Sequence, residues 1–364
     1  MKKNRQRIFF ISPDIRSPAG GVKQLYRQVD ILNKNGFEAY IIHSRYGFKC
    51  TWFDNTTPVL YNAGLYLDLA GKNRQKANQN WLFHFKRVCK DVLKLRKTIR
   101  RIKNKKWDTI FNDNDILVFP EIYGSGIDWV LPNNDKVIYN QNCYYTFNGF
   151  GLKNTATLYT SSKIKGIIVA SEDAKNYINY AFPGSNLFRI HYGIDKNVFN
   201  YSVNKKKQIA FMPRKLKEDI VQVINILKIK NSLKDWDLVE IVNLPEREVS
   251  KILKESALFL SFNNREGFGM PPVEAMACGC IVIGYTGKGG DEYFKENFSY
   301  PIAERDIQSF AKTIEQVISA YENNSQPFLE KGRMASDFVL KEYSLEVEAQ
   351  DIINVWNNIL ATGE

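Results

Sequence analysis

The sequence predicts an α/β chain of two doubly wound domains, each a parallel sheet with helices on its faces. Three observations carry this expectation. The 364 residues exceed the size at which a single hydrophobic core keeps growing. The chain opens on strand, glycine turn, helix and strand, the run that starts a doubly wound sheet. The same alternation begins again near Gln208 and continues to the last helices. Hydrophobic residues at 44% and aromatics at 13% describe a folded chain. The mean hydropathy is −0.35. No run approaches the ~18 apolar residues that a spanning helix requires.

Residues 7–12 (R-I-F-F-I-S) read as a short buried parallel strand. Gly20-Gly21 follow in a loop, then a helix over 22–34 with Leu25, Val29 and Leu32 on one face. Asn35-Gly36 end it through the left-handed cap that glycine tolerates. G-x-G-x-x-G is absent, so this opening is not a dinucleotide fingerprint. Strands are expected at 38–43, 116–120, 136–140 and 166–170, and Ser171 caps a helix. Asp113-Asn114-Asp115 reads as a turn rather than a metal pair, because Asn and Asp favour turns. The loop Asn140-Gln141-Asn142-Cys143-Tyr144-Tyr145 leaves a strand at a sheet edge, and it reads equally as a polar connection or a ligand-binding edge.

The composition turns polar and lysine-rich over 197–208, where the linker is placed. One domain is therefore expected over residues 1–200 and a second over 201–344. In the second, strands are expected at 208–212, 238–242, 257–262 and 280–284, with helices at 219–230 and 246–256 and a glycine loop at 286–290. Helices over 307–321, 328–342 and 345–360 close the chain.

Five scattered cysteines with no C-x-x-C pair suggest neither a disulfide framework nor a zinc site, and Cys278 and Cys280 read as small apolar residues. The three histidines are far apart, and no metal is expected. The apolar segment 8–11 is too short for a signal-peptide core, so the cytoplasm is the expected compartment.

The net charge of +12 is uneven. Residues 1–155 hold 26 Lys and Arg against 12 Asp and Glu, and the remainder 25 against 27, so the basic half faces an anion or tolerates its own repulsion. From Lys86 to Lys106 there are 11 basic residues and one acid, with Val88, Val92, Leu95, Ile99 and Ile102 forming an apolar stripe. Two compatible readings stand: contact with an anionic membrane surface, or a solvated helix packed on the domain. No aromatic-interleaved basic motif accompanies the charge, so nucleic acid is not an expected partner.

The most informative stretch runs from Asn263 to Gly279, N-N-R-E-G-F-G-M-P-P-V-E-A-M-A-C-G. Gly267, Phe268 and Gly269 open backbone amides ahead of a helix whose entry Pro271-Pro272 fix. Such a turn suits an anionic or polyhydroxyl ligand. Glu266 and Glu274 stand eight positions apart around it. Upstream, Arg214, Lys215 and Lys217 follow the strand at 208–212, where phosphates dock in such sheets.

The chain resembles the retaining nucleotide-sugar glycosyltransferases of family 4 (glycosyltransferases group 1), most strongly over Ala257–Glu292, where Glu266 to Gly279 looks like the family's two-glutamate motif. The resemblance extends more weakly to Gly20-Gly21-Val22, to I-V-A-S-E from Ile168 to Glu172, and to H-Y-G-I-D-K-N-V-F from His191 to Phe199. It implies the GT-B fold, two Rossmann-like domains with parallel sheets facing across a cleft, and a C-terminal helix over about 345–364 crossing back to the first. By that resemblance Glu274 binds the ribose hydroxyls and Glu266 the hydroxyls of the transferred sugar. The amides of Gly267, Phe268, Gly269 and Met270 hold sugar and diphosphate. Arg214 with Lys215 or Lys217 neutralises the leaving diphosphate, and Gly20 and Gly21 approach the same phosphates.

Two departures stand out: Asp219 occupies a position that is commonly lysine, and the loop from Asn140 to Tyr145 replaces one that often carries histidine, with Asn142 or Gln141 as the substitute sugar contact. The implied activity is transfer from a nucleotide-diphosphate sugar to a bacterial surface polysaccharide or lipid-linked glycan, in the cytoplasm or at the inner face of the membrane, with no metal or other cofactor. The alternatives are a nucleotide-sugar epimerase or phosphorylase of the same fold, or a non-catalytic carbohydrate-binding partner.

Overall fold

The computed structural model describes residues 6–75, 108–148, 150, 152 and 158–361. The basic stretch from Lys86 to Lys106 lies outside them. The chain divides into two compact units: Met1–Val169 with Ile178–Phe188 and Ile352–Glu364, and Ala170–Tyr177 with Arg189–Asp351. The helix Leu345–Ala361 thus begins in the second unit and ends in the first. Among the described residues no helix is long and apolar enough to cross a membrane.

In the first unit the described strands are β1 (Arg7–Ile11), β2 (Glu38–His43), β3 (Val59–Tyr61), β4 (Ile116–Pro120), β5 (Lys136–Asn140), β6 (Ile164–Val169) and β7 (Leu187–Arg189), in the order β3-β2-β1-β4-β5-β6-β7. β1 pairs in parallel with both β2 and β4. The strand order therefore reverses between β1 and β4, and the crevice outside their carboxyl ends is where ligands bind in such sheets. Ile8, Phe9, Phe10 and Ile11 are all fully buried, as expected of a strand covered on both faces. Phe9 and Ile11 join Leu65, Leu69, Leu117 and Phe119 in one core cluster. Phe10 meets Trp356, whose indole N–H reaches Gln28 Oε1 at 3.4 Å. Gly20-Gly21 are not a loop, since they form the first turn of the helix Gly20–Lys34. The Ala19 carbonyl accepts the N–H groups of Val22 and Lys23 at 3.0 and 3.2 Å, so the helix starts two residues before its apolar face begins.

The second unit contains β8 (Lys206–Phe211), β9 (Asp237–Glu240), β10 (Ser256–Glu266), β11 (Ile281–Lys288) and β12 (Ser299–Ile302), in the order β12-β11-β10-β8-β9. β8 lies between β9 and β10, all in parallel pairing, so the reversal falls between β8 and β10. Ile209, Phe211, Leu258, Leu260, Ile281 and Ile283 form its core with residues of the helices Lys217–Ile229 and Ile307–Asn323. β10 and β11 run four residues farther than their apolar cores predict, because strand pairing carries them on into the glycine region. Cys278 and Cys280 are fully buried.

Candidate active site

β10 is the middle strand of the second unit, and its long pairing with β11 shifts register between Asn263 and Glu266. That irregularity turns Glu266 out at the carboxyl end beside the segment leaving β8. Lys215 Nζ lies 2.7 Å from Glu266 Oε1 and donates to the Asn264 carbonyl at 3.0 Å. Arg214 Nη2 stands 3.6 Å from the same carboxylate oxygen. Glu266 is 14% exposed in its side chain and Arg214 72%, so Lys215 is committed to the glutamate while the guanidinium fork faces solvent. Lys217 is exposed at the first position of the following helix.

Leu216, Arg265, Lys288 and Arg305 all have positive φ, from 47° to 70°. They stand beyond or at the carboxyl ends of β8, β10, β11 and β12. Each such residue costs about 1–3 kcal/mol, and such strain collects where function demands a fixed backbone.

After Glu266, Gly269 caps the helix Met270–Ala277 with φ 87°, and a Cβ there would meet Asn263 Nδ2 at 2.6 Å and Tyr293 OH at 2.8 Å. Pro271 and Pro272 have no N–H, so the donors of the turn ahead of the first intrahelical bond fall to Gly267, Phe268, Gly269 and Met270. The Phe268 ring does not face a ligand. It is 2% exposed and packs against Tyr192, Tyr293 and Tyr343 at centroid distances of 5.6, 5.2 and 5.1 Å. Only its backbone is left to meet a ligand. Asn263 Nδ2, buried behind the turn, has no hydrogen-bond partner among the described residues.

Tyr293 is a site residue that sequence reasoning missed. It is fully buried, and its hydroxyl shares a proton between the carbonyls of Phe268 at 2.9 Å and Gly269 at 2.7 Å. Pulling both carbonyls to one side leaves the N–H side of the turn for a ligand. Its neighbour Glu292 accepts from Arg189, Tyr343 and the Glu172 N–H, which fixes this segment. Tyr293→Phe strands two buried carbonyls, so it is expected to lose about 1–2 kcal/mol of stability and to weaken nucleotide binding several-fold, measured by denaturant unfolding and calorimetry. Unchanged values in both would show that the turn holds without this bond.

Glu274 sits half-buried in the middle of the same helix. Asp219, at the position where lysine is common in the resembling family, is 4% exposed and paired to Arg305 Nη1 at 2.6 Å. That anion is therefore neutralised within the unit. Asp113 and Asn114 form a turn, and Asp115 accepts from Arg7 at 2.9 and 2.6 Å.

In the first unit Gly20 has nothing within 4 Å of a would-be Cβ, so its surface is open to a ligand. The Gly21 side is occupied by the Gln141 carboxamide, whose Nε2 donates to the Gly21 carbonyl at 2.9 Å. Asn142 is 8% exposed, and its Oδ1 accepts from the Tyr144 N–H at 3.1 Å, capping the short turn Cys143–Tyr145. That oxygen shapes the loop.

Three comparisons bear on this geometry. Residues 239–333, which include Glu266, Glu274 and Tyr293, match the family described as "Glycosyl transferases group 1". A curated alpha-1,6-glucosyltransferase of Actinobacillus pleuropneumoniae serotype 7 (strain AP76) is 27% identical over 261 residues, 68% of this chain and 76% of that protein. Among solved structures, S. aureus TarM superposes with a TM-score of 0.65 at 13% identity, over 98% of this chain and 99% of that one. The pneumococcal O-GlcNAc transferase GtfA, in complex with UDP and GlcNAc, gives 0.61 at 12% identity, over 98% and 99%. Anabaena Alr3699/HepE, in complex with UDP-glucose, gives 0.59 at 12% identity, over 97% and 100%. The fold they share with this chain is GT-B.

Proposed function

We propose that this chain, a glycosyltransferase of the GT-B fold, moves a hexose from a uridine-diphosphate sugar to a bacterial surface glycan or lipid-linked glycan, with retention at the anomeric carbon. The observation that carries the reading is the cluster at the reversal point between β8 and β10: Glu266 held by Lys215, the largely exposed Arg214 fork beside it, and the Gly267 to Met270 amides directly following. A nucleotide sugar needs an anion cradle and a carboxylate for its hydroxyls, and this cluster supplies both. The choice of uridine is supported by the UDP and UDP-glucose named in the GtfA and HepE complexes, and that of a hexose by the curated glucosyltransferase.

In this reading Glu274 binds the ribose hydroxyls and Glu266 orients the sugar. Arg214, with Lys215, offsets the charge that grows on the diphosphate as the bond from the anomeric carbon to phosphate oxygen breaks. The acceptor hydroxyl attacks from the face that the diphosphate leaves, and its proton passes to a diphosphate oxygen. The products are the new glycoside and UDP. Gly20, Gly21 and Asn142 keep their proposed donor-side roles within the first unit, and no metal ion is assigned a part.

A thermal-shift screen of UDP-, GDP- and ADP-sugars tests the donor. A ligand at 100 times its Kd is expected to stabilise the protein by about 2.7 kcal/mol. Absence of any shift with every nucleotide and nucleotide sugar would remove the donor reading.

A further inference from the structure

The carboxyl end of β4 presents a carboxylate that the proposed donor site does not use. Glu121 follows Pro120 directly and is 3% exposed. Its Oε2 accepts the N–H of Gln141 at 2.9 Å, and the N–H of Asn142 points to the same carboxyl group. Gln141 in turn reaches the Gly21 carbonyl with its side chain at 2.9 Å, where glycine alone leaves room for the carboxamide. Asn140 Nδ2 donates to Thr146 Oγ1 at 2.7 Å and to the Tyr159 hydroxyl at 2.9 Å. One buried carboxyl group therefore ties the carboxyl end of β4 to the loop after β5, and Gln141 ties that loop to the helix after β1. These strand ends flank the reversal point of the first sheet.

We propose that Glu121 is a positioning residue: by holding the peptides of Gln141 and Asn142 it fixes the loop from Asn140 to Thr146 and, through Gln141, the Gly20-Gly21 turn, in the arrangement that turnover requires. The inference rests on the donor reading above. Nucleotide affinity belongs to Glu274 and the second-unit turn, so Glu121 governs kcat and not binding of UDP. Small displacements of positioning groups lower rates by up to ~100-fold without abolishing binding.

The carboxyl group also titrates in a useful range. Burial pushes it up to about 7, against the opposing pull of the backbone N–H groups of Gln141 and Asn142. Among the described residues Tyr159 feels its charge: burial and the Glu121 charge push that phenol up, so it stays neutral. The ionised carboxylate accepts both N–H groups and the protonated form competes with them, so kcat is expected to rise as pH passes through the Glu121 transition.

The test measures hydrogen exchange over 140–146, UDP binding by calorimetry, and UDP-glucose turnover against pH, on the full chain carrying Glu121→Ala, Glu121→Gln or Gln141→Ala. Expected for Glu121→Ala are faster exchange over the loop, kcat lower by about tenfold or more, and a Kd for UDP within about twofold of wild type. Glu121→Gln, whose carboxamide matches the protonated acid with one acceptor and one donor group, is expected to hold kcat near the low-pH level of wild type at every pH, losing the pH step. Gln141→Ala leaves Glu121 in place and is expected to lower kcat alone, which keeps the inference testable if Glu121→Ala fails to fold. A pH step that survives in Glu121→Gln, or a loss confined to UDP affinity, overturns it. A wild-type chain that neither binds UDP nor turns over UDP-glucose removes the donor reading and the catalytic role together, while unchanged loop exchange in Glu121→Ala removes the positioning bond alone.

Discussion

Arg214→Ala is expected to lower kcat for UDP-sugar turnover by about 10²–10³-fold, the usual effect of removing one preorganised group from charge that develops in a transition state. The structure points to Arg214 rather than its neighbours. Lys215 is already held by Glu266 and the Asn264 carbonyl, whereas the Arg214 fork is 72% exposed at the same carboxylate. A planar fork can bridge two phosphate oxygens where an ammonium offers a point charge. Arg214→Lys should therefore recover only part of the rate. Single-turnover measurement of UDP formation after a chemical quench separates this from slow product release, and an undiminished rate in Arg214→Ala would sink the assignment.

Glu274→Gln is expected to raise the Kd for UDP by about 10–100-fold, because hydrogen bonds to a charged acceptor are worth about 1.5–3 kcal/mol. Its helix begins at Gly269 under the constraint of Tyr293, so the substitution changes an affinity and leaves the turn in place. Glu266→Gln is expected to behave differently. It should affect turnover more than UDP binding, since in the proposed reading this carboxylate, which faces Lys215 and Arg214, orients the transferred sugar. Calorimetry with UDP and steady-state kinetics with UDP-glucose distinguish the two, and identical defects in both variants would refute the division of labour.

The elements whose fate depends on local pattern were legible. β1, β2, β4 and β5 lie within one residue of their expected spans, since a run such as Ile8-Phe9-Phe10-Ile11 has little alternative to a strand covered on both faces. The long helices at 307–323, 326–342 and 345–361 likewise follow their apolar period. β3, β7 and β12 were not foreseen. They are three or four residues long at or near sheet edges, and a neighbouring strand makes them strands more than their own composition does.

The candidate site divides the same way. Glu266, Glu274, Arg214 and Lys215 follow from residue type, spacing and position after an apolar run. Glu121 left a faint signal, an acid immediately after the apolar strand 116–120. Tyr293 left none, because a tyrosine 24 residues beyond Gly269 carries no mark of the carbonyls it holds.

The sequence by itself determined the α/β alternation, the two-sheet organisation and the glycine-and-glutamate turn, since each depends on chemistry within a few neighbouring residues. Only the tertiary structure decided that Lys215 and not Lys217 meets Glu266, that Asp219 is neutralised by Arg305, and that the Phe268 ring packs inward. It also decided that Gly21 makes room for Gln141. Each of these is a pairing between segments that strand order, and not chain distance, brings together at the carboxyl end of a parallel sheet.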